Sequence, residues 1–386
     1  MTPQACLNYF RASERQMLDA LDALVSIDSP SGDIDGITSF VRKYSDLLHS
    51  AGIRSMELPG PGGPHLFGEG IFGGSSGPPI VLVGHSDTVW PRGEAGRRPP
   101  TRSGGRLYGP GACDMRAGLV IAAFALRCLR ESHAALCRPV QIFLSADEEV
   151  GSLTAHPHME RLFSPATTAL VLEPPLEDGS LKIARKGVGM YRLTAQGIEA
   201  HAGLEPEKGA SAITEIVHQI REVLSWADPA RGITLNIGQI RGGFATNVVA
   251  GHAEAGLDVR FDTLADGKAI HARLEELRPL NERTRLRIEG GIIFPPLVPD
   301  DRSYRLAGTA MGIARELGFE ISTGKAGGGS DGSFLASRGV CVLDGVGVDG
   351  AGAHTPQEHI RIDRLAVRAS LLTLLVQALA TATGGD

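Results

Sequence analysis

At 386 residues, 42% of them hydrophobic, the chain is long enough for two cores rather than one and has the composition of a globular protein. A formal net charge of −6, with no block of like charge, leaves no basic footprint for nucleic acid. The five cysteines, Cys6, Cys113, Cys128, Cys137 and Cys341, are scattered without C-x-x-C spacing, which argues against both a disulfide framework and a thiolate zinc site.

Residues 1–15 show no charged segment followed by an apolar one, and no apolar run reaches the length that a bilayer needs. The expected location is the cytoplasm, with no membrane partner. In chain order, residues 10–27 and 34–51 carry apolar side chains at helical spacing, the second run closing at Gly52, a common residue at helix ends. Residues 59–79 are rich in glycine and proline, and Gly73-Gly-Ser-Ser-Gly77 has the form of a Gly-x-Ser-x-Gly nucleophile elbow. An elbow needs a strand before it and a helix after it. This motif precedes a strand and sits among turn formers, so it reads as a flexible turn.

The β-branched run 79–83 is expected as a buried strand that delivers His85 and Asp87 at its carboxyl end, where open α/β sheets place their chemistry. Positions two apart in an extended segment share a face. Asp87 can therefore accept a hydrogen bond from one ring nitrogen of His85 and leave the other to bind a cation. Asp114 lies in the glycine-bounded segment 108–118, ahead of the apolar helical run 119–129, where a capping carboxylate is the alternative to a ligand. Run 140–146 reads as a buried strand ending in Asp147-Glu148-Glu149, and run 169–172 as another ending in Glu173-Pro174. Adjacent acids at a sheet edge repel one another unless a cation or water compensates them.

From about residue 180 the pattern becomes strand 181–195, helix 209–226, strands 233–240 and 252–261, helix 265–277 and strand 285–289. This β-α-β-β-α-β order is that of a ferredoxin-like unit, read as a domain of residues 181–296 inserted into a larger one of residues 1–180 and 297–386. The larger domain resumes with helix 303–317, strand 320–323, strand 340–343 and a terminal helix 363–379. Gly327-Gly-Gly-Ser-Asp-Gly332 has the form of a dinucleotide fingerprint but lacks its acidic partner. As a glycine-rich loop it still offers N–H groups to an anion such as a carboxylate. His354 and His359 follow in a later loop, and one of them can complete a ligand set.

His85, Asp114, Glu149, Glu173 and His354 are imidazoles and carboxylates of the kind zinc accepts, and their number suits two ions sharing a carboxylate better than one. Glu148 is left over beside Glu149, where a general base for a metal-activated water belongs.

At these residues the sequence resembles the M20 family of metallopeptidases, and within it the glutamate carboxypeptidase branch. The resemblance spans nearly the whole chain and rests on Gly84-His-Ser-Asp-Thr-Val89, Gly109-Pro-Gly-Ala-Cys-Asp-Met-Arg-Ala-Gly118, Ala146-Asp-Glu-Glu-Val-Gly151, Leu172-Glu-Pro174 and Ala353-His354. It implies an α/β fold: a zinc-peptidase-like mixed sheet flanked by helices, with an inserted ferredoxin-like α+β domain that serves as lid and dimerisation surface.

The resemblance also implies two zinc ions per subunit, with cobalt or manganese as alternatives. His85 and Glu173 then match terminal ligands of one ion, Glu149 and His354 of the other, Asp114 the bridging carboxylate, and Asp87 the residue that orients the ligand histidine. Glu148 matches the general base, acting on a metal-activated hydroxide. His201 resembles the small-domain histidine that polarises the scissile carbonyl. Asn247, Arg260, Gly328, Gly329 and Ser330 match positions that hold a substrate carboxylate, although Arg260 has the alternative of a strand ion pair with Asp258 or Asp262. The implied activity is hydrolysis of an amide bond in a small peptide or N-acyl amino acid by a homodimer, either as a carboxypeptidase or as an N-acyl-amino-acid deacylase. A silent member that only binds a conjugate is the alternative from another class; it would lack Glu148 or a ligand, and none is missing.

Overall fold

The computed structural model describes residues 1–70, 72 and 77–381, so residues 73–76 of the elbow-like motif lie outside the described residues. The chain divides into two compact units. One comprises Met1–Ala184, Leu297–Ala326 and Ser330–Asp386, and the other Arg185–Pro296 with Gly327–Gly329.

The first unit is built on an eight-stranded sheet in the order Arg54–Leu58, His65–Gly70, Val140–Ser145, Ile80–His85, Thr168–Val171, Cys341–Asp344, Leu181–Arg185 and Thr323–Ala326. Strand Ile80–His85 runs parallel to Val140–Ser145 and to Thr168–Val171, which in turn runs parallel to Cys341–Asp344. All six residues of Ile80–His85 are buried, as its near-continuous apolar run requires of a strand covered on both faces. The carboxyl ends of these four parallel strands therefore open on one edge. Helices Pro3–Val25, Ala117–Glu131 and Leu365–Thr381 contribute to the same core, and the Tyr44 hydroxyl of helix Ile34–Ser50 donates to the Leu119 carbonyl at 2.9 Å.

Several expectations change. Strands Arg54–Leu58 and His65–Gly70 were not anticipated in or ahead of the glycine- and proline-rich stretch. The first is an edge strand with little burial, and a side chain at Gly68 or Gly70 would strike Ile142 or Phe72. The single strand expected at 181–195 is two: Leu181–Arg185 joins the first sheet and Gly187–Gln196 the second, so the second unit begins at Arg185 rather than 181. The strand expected at 320–323 forms instead at Thr323–Ala326. Finally, Ile362–Thr381 is a 20-residue helix apolar enough by length and composition to cross a bilayer, but 67% of it is buried inside the protein. Its interruption by Arg364 and Arg368 hid the run. Arg368 is fully buried and forks onto the Asp349 carboxylate at 2.6 and 3.0 Å.

The second unit holds a four-stranded antiparallel sheet in the order Thr234–Gly242, His252–Phe261, Gly187–Gln196 and Arg285–Phe294, with helices Ala212–Leu224 and Leu264–Glu275. The strand order is that of a split β-α-β unit, as its element sequence suggested. The alternating burial of His252–Phe261 gives the helices one apolar face to cover.

In the first unit, Gly118 lets helix Ala117–Glu131 come so close to the strand end before Glu173 that a Cβ there would stand 2.1 Å from the Leu172 carbonyl oxygen. Gly118→Ala is expected to destabilise the protein by about 1–3 kcal/mol, as overpacking does. The shift of the urea midpoint at unchanged slope measures it.

Candidate metal centre

Three of the four parallel strands deliver most of the site. His85 ends its strand, Glu148 and Glu149 occupy a short turn just after Val140–Ser145, and Glu173 follows Thr168–Val171 by two residues. A small separate sheet supplies the rest: Arg106–Tyr108, ahead of Asp114, pairs with His359–Arg361, which follows the His354 loop. Two loops distant in sequence are thus held side by side.

The resulting geometry is centred on Asp114. Its Oδ1 lies 3.1 Å from His85 Nε2 and its Oδ2 lies 3.2 Å from His354 Nε2. Each imidazole has a second carboxylate: Glu173 Oε1 is 3.6 Å from His85 Nε2, and Glu149 Oε2 is 3.1 Å from His354 Nε2. The donor atoms of His85, Glu148 and Glu173 lie within 4.8 Å of one another, as do those of His85, Asp114 and Glu149. All five residues proposed as ligands from the sequence are brought together. Two imidazoles and three carboxylates, one of them spread between both imidazoles, fit a pair of divalent ions.

Asp87 does more than face its histidine. His85 Nδ1 is 2.9 Å from the backbone carbonyl of Asp87, whereas the nearer carboxylate oxygen is 3.5 Å away. A carbonyl only accepts, so Nδ1 carries the hydrogen and Nε2 is the atom turned to the site. The Asp87 carboxylate instead accepts the backbone N–H groups of Glu148 and Glu149, each at 3.1 Å, and the Ser31 hydroxyl at 2.6 Å. His85 thus donates the expected hydrogen bond to the backbone carbonyl of Asp87, and the Asp87 side chain sets the turn that bears Glu148.

Electrostatics follow from burial and crowding. Burial, reinforced by the charges of Glu173, Asp331 and Glu149, holds the Glu148 carboxyl well above the usual range against the opposing pull of His85. Glu149 is pushed up to about 7, chiefly by burial, with Asp114 adding and His354 opposing. The carboxylates of Asp114 and Glu149 raise His354 to about 11. Burial alone would lower His85, but Asp114, Asp87 and Glu173 together keep it well above the histidine range. The same two imidazoles keep Asp114 low despite its burial.

The remaining candidates divide between the units. His201 and Asn247 belong to the second unit, where Ala202 donates its N–H to the Asn247 carbonyl at 2.9 Å. His201 Nδ1 accepts the N–H groups of Gly203 and Leu204, both at 3.1 Å, which leaves Nε2 as the protonated, donating nitrogen of an exposed ring. Arg260 is engaged by Asp258 through two bonds of 2.8 and 2.7 Å, so the alternative ion pair is the one formed here. The carbonyls of Gly328 and Gly329 accept from Arg185. Ser330 is buried in the first unit, and its hydroxyl donates to Asp344 at 2.7 Å rather than being offered to a ligand.

Three residues escaped the sequence reading. Glu358, 1% exposed, accepts the N–H groups of Gly111, Cys113 and Asp114 and the Trp90 indole N–H, all between 2.9 and 3.0 Å. Asp331 accepts the Ser145 and Ser152 hydroxyls, which flank the Glu148 turn. Lys182 lies 7% exposed beside Glu173. A lysine inside an apolar strand was the one signal available; Asp331 opens helix Asp331–Ser337 and Glu358 directly precedes strand His359–Arg361, positions where an acid is ordinary.

A model of peptidase family M20/M25/M40 matches residues 81–378. Carboxypeptidase G2 from a Pseudomonas species is 24% identical over 371 residues, covering 94% of this chain and 89% of that protein. A succinyl-diaminopimelate desuccinylase from Stenotrophomonas maltophilia is 26% identical, covering 79% and 85% respectively. In structure, the aminopeptidase PepT from Bacillus cereus matches with a TM-score of 0.75 at 23% identity, over 95% of this chain and 99% of that one, a likeness of fold.

Protons and divalent ions compete for these donors. Loading the metal-free chain at pH 7 is expected to release about two protons per chain, mostly from the imidazoles, because each ligand must be deprotonated to bind. The apparent affinity accordingly rises as pH passes through about 7, where Glu149 gives up its proton. Calorimetric titrations in buffers of different ionisation enthalpy count the protons, and a count near zero would show the imidazoles already neutral.

Proposed function

The chain belongs to peptidase family M20/M25/M40, and from that premise we propose that it is a dinuclear zinc hydrolase that cleaves the amide bond of a peptide or N-acyl amino acid bearing a free carboxylate. The observation that carries this reading is Asp114, whose two oxygens face two imidazoles that each have a further carboxylate partner. His85 and Glu173 would hold one ion and Glu149 and His354 the other, with Asp114 shared. Cobalt or manganese suits the same oxygen-rich donors.

When bound, the ions polarise the scissile carbonyl and acidify a water. Glu148 takes the proton of the attacking water and returns it to the leaving amine, a task that suits a carboxyl whose burial raises its affinity for protons. Asp87 keeps that carboxyl in place through the turn's N–H groups. In the role that the family resemblance implies, His201, with its hydrogen on Nε2, would serve as a donor to the developing oxyanion. Arg260 presents the planar fork that grips carboxylates, and a substrate carboxylate exchanges with Asp258 for it. The family resemblance would give Asn247, Gly328, Gly329 and Ser330 the role of holding that carboxylate.

A glutamate-carboxypeptidase preference follows the likeness to carboxypeptidase G2; an N-acyl-amino-acid deacylase is the second reading, favoured by the likeness to a desuccinylase. A panel of C-terminal-glutamate peptides and N-acyl amino acids separates the two. In either case Glu148→Gln is expected to lower kcat by about 10²–10⁴-fold, as loss of a general base does, with both ions retained. Undiminished turnover by that variant would remove Glu148 from the mechanism.

A homodimer through the second unit is part of the same proposal. Ile213 and Val217 on helix Ala212–Leu224 are 40% and 45% exposed, and Ile240 on the edge strand Thr234–Gly242 is 56% exposed. Apolar side chains beside a strand that pairs on one side only among the described residues suit a second copy of the chain. Ile213→Lys with Val217→Lys is expected to halve the mass measured by light scattering at micromolar concentration; an unchanged mass would place any interface elsewhere.

A further inference from the structure

The two halves of the centre are not electrically alike. Lys182 lies in strand Leu181–Arg185, in register with Asp344 of the antiparallel neighbouring strand. Its side chain is only 9% exposed, and Nζ stands 4.0 Å from Glu173 Oε2. The other carboxylate oxygen, Oε1, is the one turned to His85 at 3.6 Å. Across the centre, Glu149 and the far oxygen of Asp114 face the His354 imidazole. Each half has one imidazole, which would be neutral as a ligand, and an ammonium flanks the His85–Glu173 half in addition.

Two consequences follow from this placement. Glu173 has Oε1 turned to His85 and Oε2 beside an ammonium, an arrangement that would favour coordination of an ion through Oε1 alone. An ammonium in a poorly solvated pocket is also screened little, and it repels a divalent ion that shares the same carboxylate. The lysine meanwhile offsets part of the repulsion among the acids around it, Glu173 first among them.

Resting on the two-ion reading above, we propose that Lys182 is a positioning residue that makes Glu173 a single-oxygen ligand and renders the His85–Glu173 half the weaker of two zinc sites.

The test is zinc binding by the metal-free, full-length protein in competition with a chromophoric chelator, with stoichiometry from atomic absorption. The wild type is expected to bind two ions with distinct affinities, and Glu173→Gln to lose the weaker while keeping the tighter. Lys182→Met should tighten the weaker ion by about 10–100-fold, the range over which partners of metal ligands act, and leave the tighter one unchanged. Lys182→Arg, which keeps the charge, should retain the wild-type pair of affinities. Lys182→Gln removes the charge while keeping a hydrogen-bond donor, and serves if the methionine variant does not fold. Equal affinities in the wild type, loss of the tighter ion in Glu173→Gln, or no tightening on removal of the charge would each overturn the inference. A wild type that binds fewer than two ions overturns the two-ion reading as well, whereas two ions whose affinities ignore residue 182 overturn this inference alone.

Discussion

Four carboxylates, those of Asp114, Glu148, Glu149 and Glu173, converge at the carboxyl edge of a parallel sheet, largely removed from water. Like charges so close cannot all stay ionised without compensation. Around them stand two imidazoles, a buried ammonium and a ring of backbone N–H groups, and the shifted proton affinities record how far that compensation goes. Glu148 and Glu149 are raised because it is incomplete for them, and Asp114 is lowered because both imidazoles face it. Divalent ions at this position would complete what the protein supplies only in part.

Three further carboxylates shape the backbone around these four. Asp87 gathers the Glu148 and Glu149 N–H groups, Glu358 gathers those of the Asp114 loop together with the Trp90 indole, and Asp331 ties down Ser145 and Ser152. Each is a buried acid that accepts several donors, an arrangement that fixes the segments it binds. Substitution of such a residue displaces a ligand without touching an ion, which is why outer partners matter nearly as much as the ligands themselves.

The second unit carries different polar groups on a different backbone. Its antiparallel sheet carries Arg260 already matched with Asp258, and its loops carry His201 with its proton directed to Nε2 by two backbone donors. Neither arrangement needs a ligand to form.

The sequence by itself determined the parallel strands, because buried apolar runs bounded by turn residues leave little alternative, and it determined the five candidate ligands, because histidine and acids recurred at the ends of those runs. It did not determine the strands at 54–58 and 65–70, where glycine spacing follows the side chains of neighbouring strands, or the break of 181–195 into two sheets. Nor did it mark Glu358 and Asp331, whose partners lie far away in the chain, or show that the backbone rather than the side chain of Asp87 meets His85. Local pattern encodes which face of an element is buried. Which loops then meet, and which buried charge faces which, is decided only when the strands are laid side by side, since contacts between residues remote in sequence leave no periodic trace along the chain.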